Sequence, residues 1–444
     1  MGPFDAAIGI AQKSLQFVQE TSPSLIFLGF AVSLLVGSAL LYLTLYLVAP
    51  VPRPPYPSEK TYTTILPDGS PSSPQPLPSW LDSHIARKNL ARRKHSSKLL
   101  EDIPVDPASV FISVVVPAYN EETRLAGMLE EAVEYLQDAY GDAHGPSVEA
   151  TKPSTSATQR RGVNGSGKGQ QQHQHQDGST GMNGAVTAAE TTRAPGRGWE
   201  ILIVSDGSTD ATLNTALSFA RSHQLEQYPF PTAVPGPWRS GPASKKATQI
   251  PHGSIRVVSL EQNRGKGGAV VHGMRHVRGE YVVFADADGA SKFEDLGRLV
   301  KGCREVEDER GRGVAIGSRA HLVGSEAVVK RSAIRNFLMH SFHLLLRLMT
   351  PPATSRIRDT QCGFKLFSRA SLPFIVPYMH SEGWIFDVEM LMLAELGGIP
   401  MTEVAIGWKE VLGSKLNVLW DSLGMAWGLA ILRLAWAMGV YRRN

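Results

Sequence analysis

The sequence predicts an α/β domain on a mostly parallel sheet with helices on both faces, joined to one N-terminal transmembrane helix. Three observations carry that reading. Four short, apolar, β-branched runs alternate with stretches of helical period. Strands buried on both faces read as continuous apolar runs, and alternation with helices indicates parallel connections. Polar residues and glycines follow each run directly. One uncharged apolar segment near the N-terminus is long enough to cross a bilayer.

The runs are Phe111–Pro117 (FISVVVP), Glu200–Ser205 (EILIVS), Ser254–Ser259 (SIRVVS) and Tyr281–Phe284 (YVVF). Helical patterns follow the first three over Glu122–Tyr140, Ala211–Arg221 and Gly267–Val277. In such sheets ligands bind beyond the carboxyl ends of the strands. Those ends carry Pro117, Ala118, Tyr119, Asn120 and Glu121, then Asp206-Gly207-Ser208-Thr209-Asp210, then Asn263-Arg264-Gly265-Lys266, then Asp286-Ala287-Asp288-Gly289. One polar tip is ordinary for a loop. Four on one edge predict a composite pocket.

Asp286 and Asp288 are the sharpest pair. Two carboxylates within ~4 Å repel by about 4 kcal/mol at intermediate dielectric. A divalent cation reverses that sign, and a site of few carboxylates suits Mg²⁺ or Mn²⁺. Asp turns made for local hydrogen bonds are the alternative. Asp206 is placed to accept a hydrogen bond from a base N–H or a ribose hydroxyl, since Ser208 or Asp210 serves better as cap of the next helix. Lys266 opens a helix from a glycine-rich turn, but GxxxxGK[ST] is absent, and no GxGxxG follows the first run.

No charge occurs from Thr21 to Pro52, and within it Leu25–Val48 is a predominantly apolar stretch of 24 residues. About 20 suffice for a transmembrane helix. Its N-terminal flank has only Lys13, while its C-terminal flank has Arg53, Lys60, Arg87, Lys88, Arg92, Arg93, Lys94 and Lys98. The positive-inside bias puts the C-terminal side in the cytosol. The basic cluster is either a solvated linker face or a site of attraction to anionic headgroups.

The 444 residues leave room for two or three domains. A net charge of +4 is too mild to point to nucleic acid. Two cysteines, Cys303 and Cys362, make neither a disulfide framework nor a zinc site. The expected organisation is a lumenal N-terminus (1–24), a transmembrane helix (25–48), a Pro- and Ser-rich cytosolic linker (49–108), a folded domain (109–416) and an amphipathic C-terminal helix (417–444). Two polar stretches, 141–198 and 224–252, read as disordered insertions. His173 and His175, within the first, read as solvated rather than metal-binding. Two apolar stretches, Ala333–Met349 and Asn417–Tyr441, are expected either to lie in a membrane interface or to pack as core helices.

VVVPAYNEE, ILIVSDGSTD, NRGKGGAV and FADADGA, in this order, resemble the inverting glycosyltransferases of family two, with the GT-A (Rossmann-like) fold. Gly317-Ser318-Arg319, the Asp359–Lys365 run DTQCGFK and Trp384–Glu389 (WIFDVE) look like the branch that transfers a sugar to a polyprenyl phosphate. Within it, the DADGA form, the RAHL after Gly317 and Ser318, and the single N-terminal anchor look most like members that glucosylate dolichyl phosphate at the endoplasmic reticulum. The resemblance covers Ile112 to Leu416, and the long 141–198 insertion departs from it.

The resemblance implies UDP-glucose as donor, dolichyl phosphate as acceptor, membrane lipids as surroundings and a divalent cation as cofactor. The implied product, dolichyl β-D-glucosyl phosphate, is the glucose donor for lipid-linked oligosaccharide assembly. Pro117, Ala118, Tyr119, Glu121 and Lys266 are expected around the nucleotide sugar, Asp206 on the uridine, and Asp286 and Asp288 on the cation. Arg319, Arg331, Arg335, Lys409 and Lys415 are expected on phosphates. Asp288, Arg319 and Asp387 are the expected catalytic set. Asp359 or Asp387 binds glucose hydroxyls or orients a basic neighbour, and a helix N-terminal carboxylate is a further reading of Asp387. Cys362 is expected to be a packed small residue. The alternatives are a GDP-mannose enzyme on the same acceptor and a membrane-tethered binding protein. A processive synthase lacks support, since no Q-x-x-R-W motif occurs.

Overall fold

Nine residues, Val110–Ala118 (β3), form an inner strand of the sheet, and all but the first are buried. The β-branched run explains this: stiff side chains pack well on both faces of a pleated strand. In this computed structural model the described residues are 22–93, 103, 105–141, 197–225, 236–238, 248–322, 341, 344–411 and 418–443. Arg331, Arg335, Lys415, His173 and His175 lie outside them, as do most of both insertions.

β3 pairs in parallel with β4 (Trp199–Asp206) on one side and β6 (Gly279–Ala285) on the other. β5 (Ile255–Leu260) extends the sheet beyond β4. Past β6 come β8 (Phe364–Ser368), β7 (Val314–Ser318) and β9 (Met401–Ala405), giving the order β5-β4-β3-β6-β8-β7-β9. β8 runs antiparallel to both neighbours. Mixed sheets of this kind carry their ligand at the parallel strands' carboxyl rim.

The helices between strands are α3 (Leu125–Tyr140), α4 (Thr212–Gln224), α5 (Gly265–Met274) and α6 (Leu296–Val306). The first core holds Leu125, Leu129, Leu136, Ala216, Phe219 and Leu299 on one face of the sheet. The second holds Ala269, Val270 and Met274 on the other, with Phe386 and Met390 of α7 (Phe386–Leu396). The alternating strand–helix pattern thus gives the two-faced architecture expected. Observed element ends differ from the expected ones by a few residues, the usual fraying at helix starts.

α1 (Pro23–Val48) is apolar throughout and exposed along nearly its whole length. Only Leu45 within it is buried. Its 26 residues are long and apolar enough to cross a membrane.

The segment after α1 departs from the expectation of a linker. Residues 50–93 fold onto the domain. Ile65, Leu77, Trp80 and Leu81 are buried. β1 (Thr61–Tyr62) and β2 (Gln75–Pro76) form a small antiparallel ribbon, and α2 (Trp80–Arg93) follows. Thr63 bridges Val257 of β5 in an antiparallel pair, and Trp80 Nε1 donates to the Met274 carbonyl at 2.6 Å. Buried Glu59 accepts two bonds from Arg53, at 2.6 and 2.9 Å. That pairing outweighs burial and pulls its carboxyl down to about 2.

A second departure concerns 224–252. Gly236, Pro237 and Trp238 are described and pack on the domain, with Trp238 Nε1 donating to the Gly289 carbonyl at 3.1 Å.

α8 (Val418–Ala437) closes the chain. Leu429, Ile431, Leu432 and Ala435 bury one face against Val388 and Met392 of α7 and Ala49 at the foot of α1. Trp420, Leu423 and Trp427 are exposed on the other. Its burial is therefore one-sided, and part of the core-helix alternative holds for that face.

Candidate active site

The loops after β3 and β4 are stitched to each other. Asn120 adopts a left-handed conformation, φ 53°, which Asn tolerates better than most residues. Its Oδ1 accepts the Thr209 N–H at 2.8 Å. The Glu121 N–H donates to Thr212 Oγ1 at 2.7 Å, and Glu122 Oε2 accepts the Ala211 N–H at 2.9 Å. Asp210 Oδ1 accepts the Thr212 N–H at 2.9 Å, so the start of α4 is served without Asp206. Pro117 and Ala118 end β3, Tyr119 is exposed at the rim, and Glu121 pairs with Arg124 at 2.6 Å.

Asp206, at the end of β4, accepts the Arg264 N–H at 2.7 Å. Burial is the main influence on its carboxyl and pushes it up to about 6. Gly207, at φ 65°, leaves no room for a side chain: a Cβ there would lie 2.6 Å from the Asn263 nitrogen. Arg264 reaches back to Glu382, Nε to Oε1 at 2.7 Å, and to the Arg53 carbonyl at 2.9 Å. The β5–α5 loop is thereby fixed to the segment that follows α1.

Lys266 Nζ lies 2.7 Å from Asp286 Oδ1 and 5.7 Å from the centre of the Trp384 ring. Burial works against its charge, but Asp286 and then Asp387 outweigh it and hold its pKa up. Burial, and then the charge of Asp286, hold the Asp288 carboxyl above its ordinary range. Asp288 Oδ1 accepts the Ala290 N–H at 3.0 Å, the Asx-turn contact of the turn reading. Asp286 Oδ1 is buried and, beyond its ion pair with Lys266, has no hydrogen-bond donor among the described residues. Two carboxylates on one turn, with a lysine ammonium the single charged partner of Asp286 Oδ1 among the described residues, are a donor set that a hard divalent cation suits.

Space for Asp286 comes from Gly363. In the β6–β8 register Ala285 faces Phe364, so Gly363 comes opposite Asp286, whose N–H donates to the Gly363 carbonyl at 3.2 Å. A Cβ on Gly363 would sit 2.0 Å from Asp286 Oδ2. Gly363→Ala is therefore expected to displace the carboxylate. Misplacements of about 1 Å in an active site can cost on the order of 10²-fold in rate. Steady-state kinetics with a thermal melt checks this; wild-type kcat in a folded variant contradicts it.

Two ion pairs back the rim, one half-buried and one buried. Arg319, after β7, makes a two-pronged contact with Asp359, Nε to Oδ2 at 2.7 Å and Nη2 to Oδ1 at 2.8 Å. Burial opposes both charges, yet the contact holds Asp359 below its ordinary range and Arg319 above. Lys365 of β8 pairs with Asp387 and donates to the Cys362 carbonyl at 2.6 Å. Asp387 is in the first turn of α7, where the helix dipole favours an anion; burial still raises its pKa. Asp359 and Asp387 thus each orient a basic neighbour, one of the roles expected of them. Cys362 is buried, its thiol pushed up to about 12, as befits a packed residue.

Lys409 lies beside the same loop: its N–H donates to the Ala290 carbonyl at 2.9 Å and its Nζ to the Pro237 carbonyl at 2.8 Å. Among the described residues the structure therefore gathers Asp206, Lys266, Asp286, Asp288, Arg319 and Lys409 along one rim. Lys365, Arg264, Gly363 and Trp238 were not singled out in sequence. Lys365 had a signal, its place in DTQCGFK; Trp238 sits in a polar, Pro-rich stretch and had none.

A model of the family described as "Glycosyl transferase family 2" matches residues 185–372. The match spans β4 to β8 and includes the Asp286/Asp288 turn. The dolichyl-phosphate beta-glucosyltransferase of Saccharomyces cerevisiae is 36% identical over 97% of this chain and 99% of its own length. That of Homo sapiens is 32% identical over 82% and 86%. The chain belongs to the dolichyl-phosphate beta-glucosyltransferase family. The crystal structure of Mycobacterium tuberculosis glucosyl-3-phosphoglycerate synthase with Mg²⁺ and UDP is also similar, at 17% identity and TM-score 0.38, covering 74% of this chain and 80% of that one.

Proposed function

We propose that this chain transfers glucose from UDP-glucose to dolichyl phosphate with inversion, giving dolichyl β-D-glucosyl phosphate. The observation that carries the reaction class is the Asp286/Asp288 pair, backed by Lys266, at the end of β6. The family supplies the acceptor and the sugar.

Inversion is one displacement at the anomeric carbon, with UDP leaving. The attacking group is a phosphate oxygen, already ionised at neutral pH. No general base is then required, unlike with a sugar hydroxyl. The difficulty is to bring two anions together, and cations answer it. Lys266 and Arg319 sit where charge on a diphosphate can be matched, and Asp359 fixes the Arg319 guanidinium. Lys409 lies on the other side of Ala290. Arg331, Arg335 and Lys415 complete the proposed phosphate set. Asp286 and Asp288 would hold Mg²⁺ or Mn²⁺. Such an ion, when bound, stabilises the negative charge of the leaving diphosphate. Asp206 accepts from the uracil N–H, with Pro117, Ala118, Tyr119 and Glu121 around the nucleoside.

α1 anchors the enzyme in the endoplasmic reticulum membrane as a single pass, with 1–24 lumenal and the catalytic domain, 109–416, cytosolic. The excess of Arg and Lys after α1 supports that orientation. The exposed Trp420 and Trp427 of α8 lie at headgroup level.

Sugar-nucleotide selection is tested on purified membranes with dolichyl phosphate, extracting the lipid-linked product. Glucose from UDP-glucose is expected; mannose from GDP-mannose in its place overturns the donor.

A pH test follows from Asp206, whose charged neighbours are Arg264 and Glu382. Its pKa is raised above the unfolded value of about 3.9, so the folded protein keeps it neutral up to about 6. Ionising it costs stability as pH rises through that window, and that cost is complete above about 6. Nucleotide binding needs the ionised form. The KM for UDP-glucose should therefore climb below pH 6, by up to about tenfold per unit. Asp206→Asn should raise KM at pH 7 and flatten that limb. An unchanged limb in the variant removes Asp206 from the nucleotide.

A further inference from the structure

The peptide unit joining Gly289 to Ala290 is held at both ends. Its N–H donates to Asp288 Oδ1 at 3.0 Å, and its carbonyl accepts a hydrogen bond from Trp238 Nε1 at 3.1 Å. A trans peptide is planar, with its N–H and C=O pointing in opposite directions. An indole that fixes the oxygen therefore fixes the plane, and through the N–H it fixes the Asp288 carboxylate. Gly289 lends that plane little restraint of its own, since it sits at φ 71°, in a region where glycine moves freely.

The indole is itself anchored from two sides. The Trp238 N–H donates to Glu131 Oε1 on α3 at 2.8 Å. The Pro237 carbonyl accepts Lys409 Nζ at 2.8 Å, and that ammonium lies 5.5 Å from the centre of the Trp238 ring. The Lys409 N–H donates in turn to the Ala290 carbonyl at 2.9 Å. The fit is close. A Cβ on Gly289 would come 3.2 Å from Pro237 Cγ, one on Gly407 3.2 Å from Trp238 Cη2, and one on Gly236 2.1 Å from Glu131 Oε1. Yet Trp238 is half-buried, and neither it nor Pro237 belongs to any of the hydrophobic cores. Their contacts serve the turn rather than the packing of the sheet.

Given the cation site proposed above, on which this rests, we infer that Trp238 is a positioning residue for the transfer. Its indole N–H holds the Gly289–Ala290 peptide in the plane that aims Asp288 at the cation, and its ring holds Lys409 beside the same turn. The polar 224–252 stretch, expected as a disordered insertion, thereby supplies a residue to the site.

Two variants of the full-length enzyme in phosphatidylcholine vesicles separate the N–H from the ring. Trp238→Phe keeps a ring against Gly407 and Lys409 and loses the donor, whereas Trp238→Ala loses both. Mn²⁺ binding is followed by electron paramagnetic resonance with UDP present. One hydrogen bond typically shifts an equilibrium about fivefold, and loss of a group that supports a metal ligand costs about 10–100-fold. The Kd for Mn²⁺ should therefore rise about fivefold in Trp238→Phe and at least about tenfold in Trp238→Ala, with one ion per chain in both. The kcat should fall in the same order, with the KM for dolichyl phosphate unchanged.

Wild-type Mn²⁺ affinity and kcat in Trp238→Ala overturn the assignment. So do fewer ions per chain at unchanged affinity, the mark of a partly unfolded protein. Wild-type behaviour of Trp238→Phe overturns the role of the indole N–H. A wild type that binds no Mn²⁺ strikes the cation reading and this inference with it, whereas a binding wild type with unaltered variants strikes this inference alone. A wild type that transfers mannose and not glucose strikes only the donor, and kcat ratios taken with the donor used still decide Trp238.

Discussion

Asp288→Ala is expected to lower kcat by about 10²–10³-fold while leaving the fold intact. Charge stabilisation is usually the largest single contribution to such a reaction, and removing one element of it costs about 3–4 kcal/mol. Each 1.36 kcal/mol is tenfold in rate, so the loss approaches three decades. The fold should tolerate the change for a specific reason. Asp288 is a half-buried carboxylate beside another, raised by desolvation and by Asp286, so its charge opposes folding. Its contact with the Ala290 N–H at 3.0 Å is worth about 1 kcal/mol net. Relief of repulsion offsets that loss. Steady-state kinetics with a melting curve tests both halves. A variant with wild-type kcat removes Asp288 from catalysis, and a grossly unfolded one removes the electrostatic account.

Breaking the Lys365–Asp387 pair should have the largest effect on stability. Both side chains are almost wholly buried, at 0% and 4% exposure. Lys365→Met leaves Asp387 charged with its nearest partner gone. Removing one member of a buried pair costs about 3–5 kcal/mol, whereas replacing both by apolar groups of similar volume is often neutral. At about 2–4 °C per kcal/mol for a domain of this size, Lys365→Met should melt roughly 6–20 °C lower. The double variant Lys365→Met/Asp387→Leu should recover most of that loss and remain inactive. Thermal melts and turnover of the wild type, the single variant and the double variant decide it. A double variant as unstable as the single one means the pair is not the cause. A double variant with normal turnover means the pair only stabilises.

The central sheet was legible because each strand buried on both faces leaves an unbroken apolar run, and the rim because four such runs end in charge and glycine. Asp286 and Asp288 stood out as two carboxylates that repel without a cation. What escaped the sequence depends on distant register. Of Phe364–Ser368 only Phe364 and Lys365 entered the reading, at the end of the DTQCGFK motif, so its antiparallel strand went unread, and with it the role of Gly363 across from Asp286. Likewise Asp359 with Arg319 and Asp387 with Lys365 meet only once β7, β8 and α7 are packed. The expectation of a linker after α1 followed from its Pro and Ser content. Leu77, Trp80 and Leu81 are too few to give a period, yet each is buried. The resemblance to family two, by contrast, needed only local order, and the relatives bore it out.

The measurement that bears most directly on the cation at Asp286 and Asp288 is Mn²⁺ binding followed by electron paramagnetic resonance, in the presence of UDP and at fixed pH. One ion per wild-type chain is predicted, with that site lost in Asp286→Ala/Asp288→Ala. Undiminished Mn²⁺ binding by the double variant, or glucosyl transfer at full rate in excess chelator, would contradict the account.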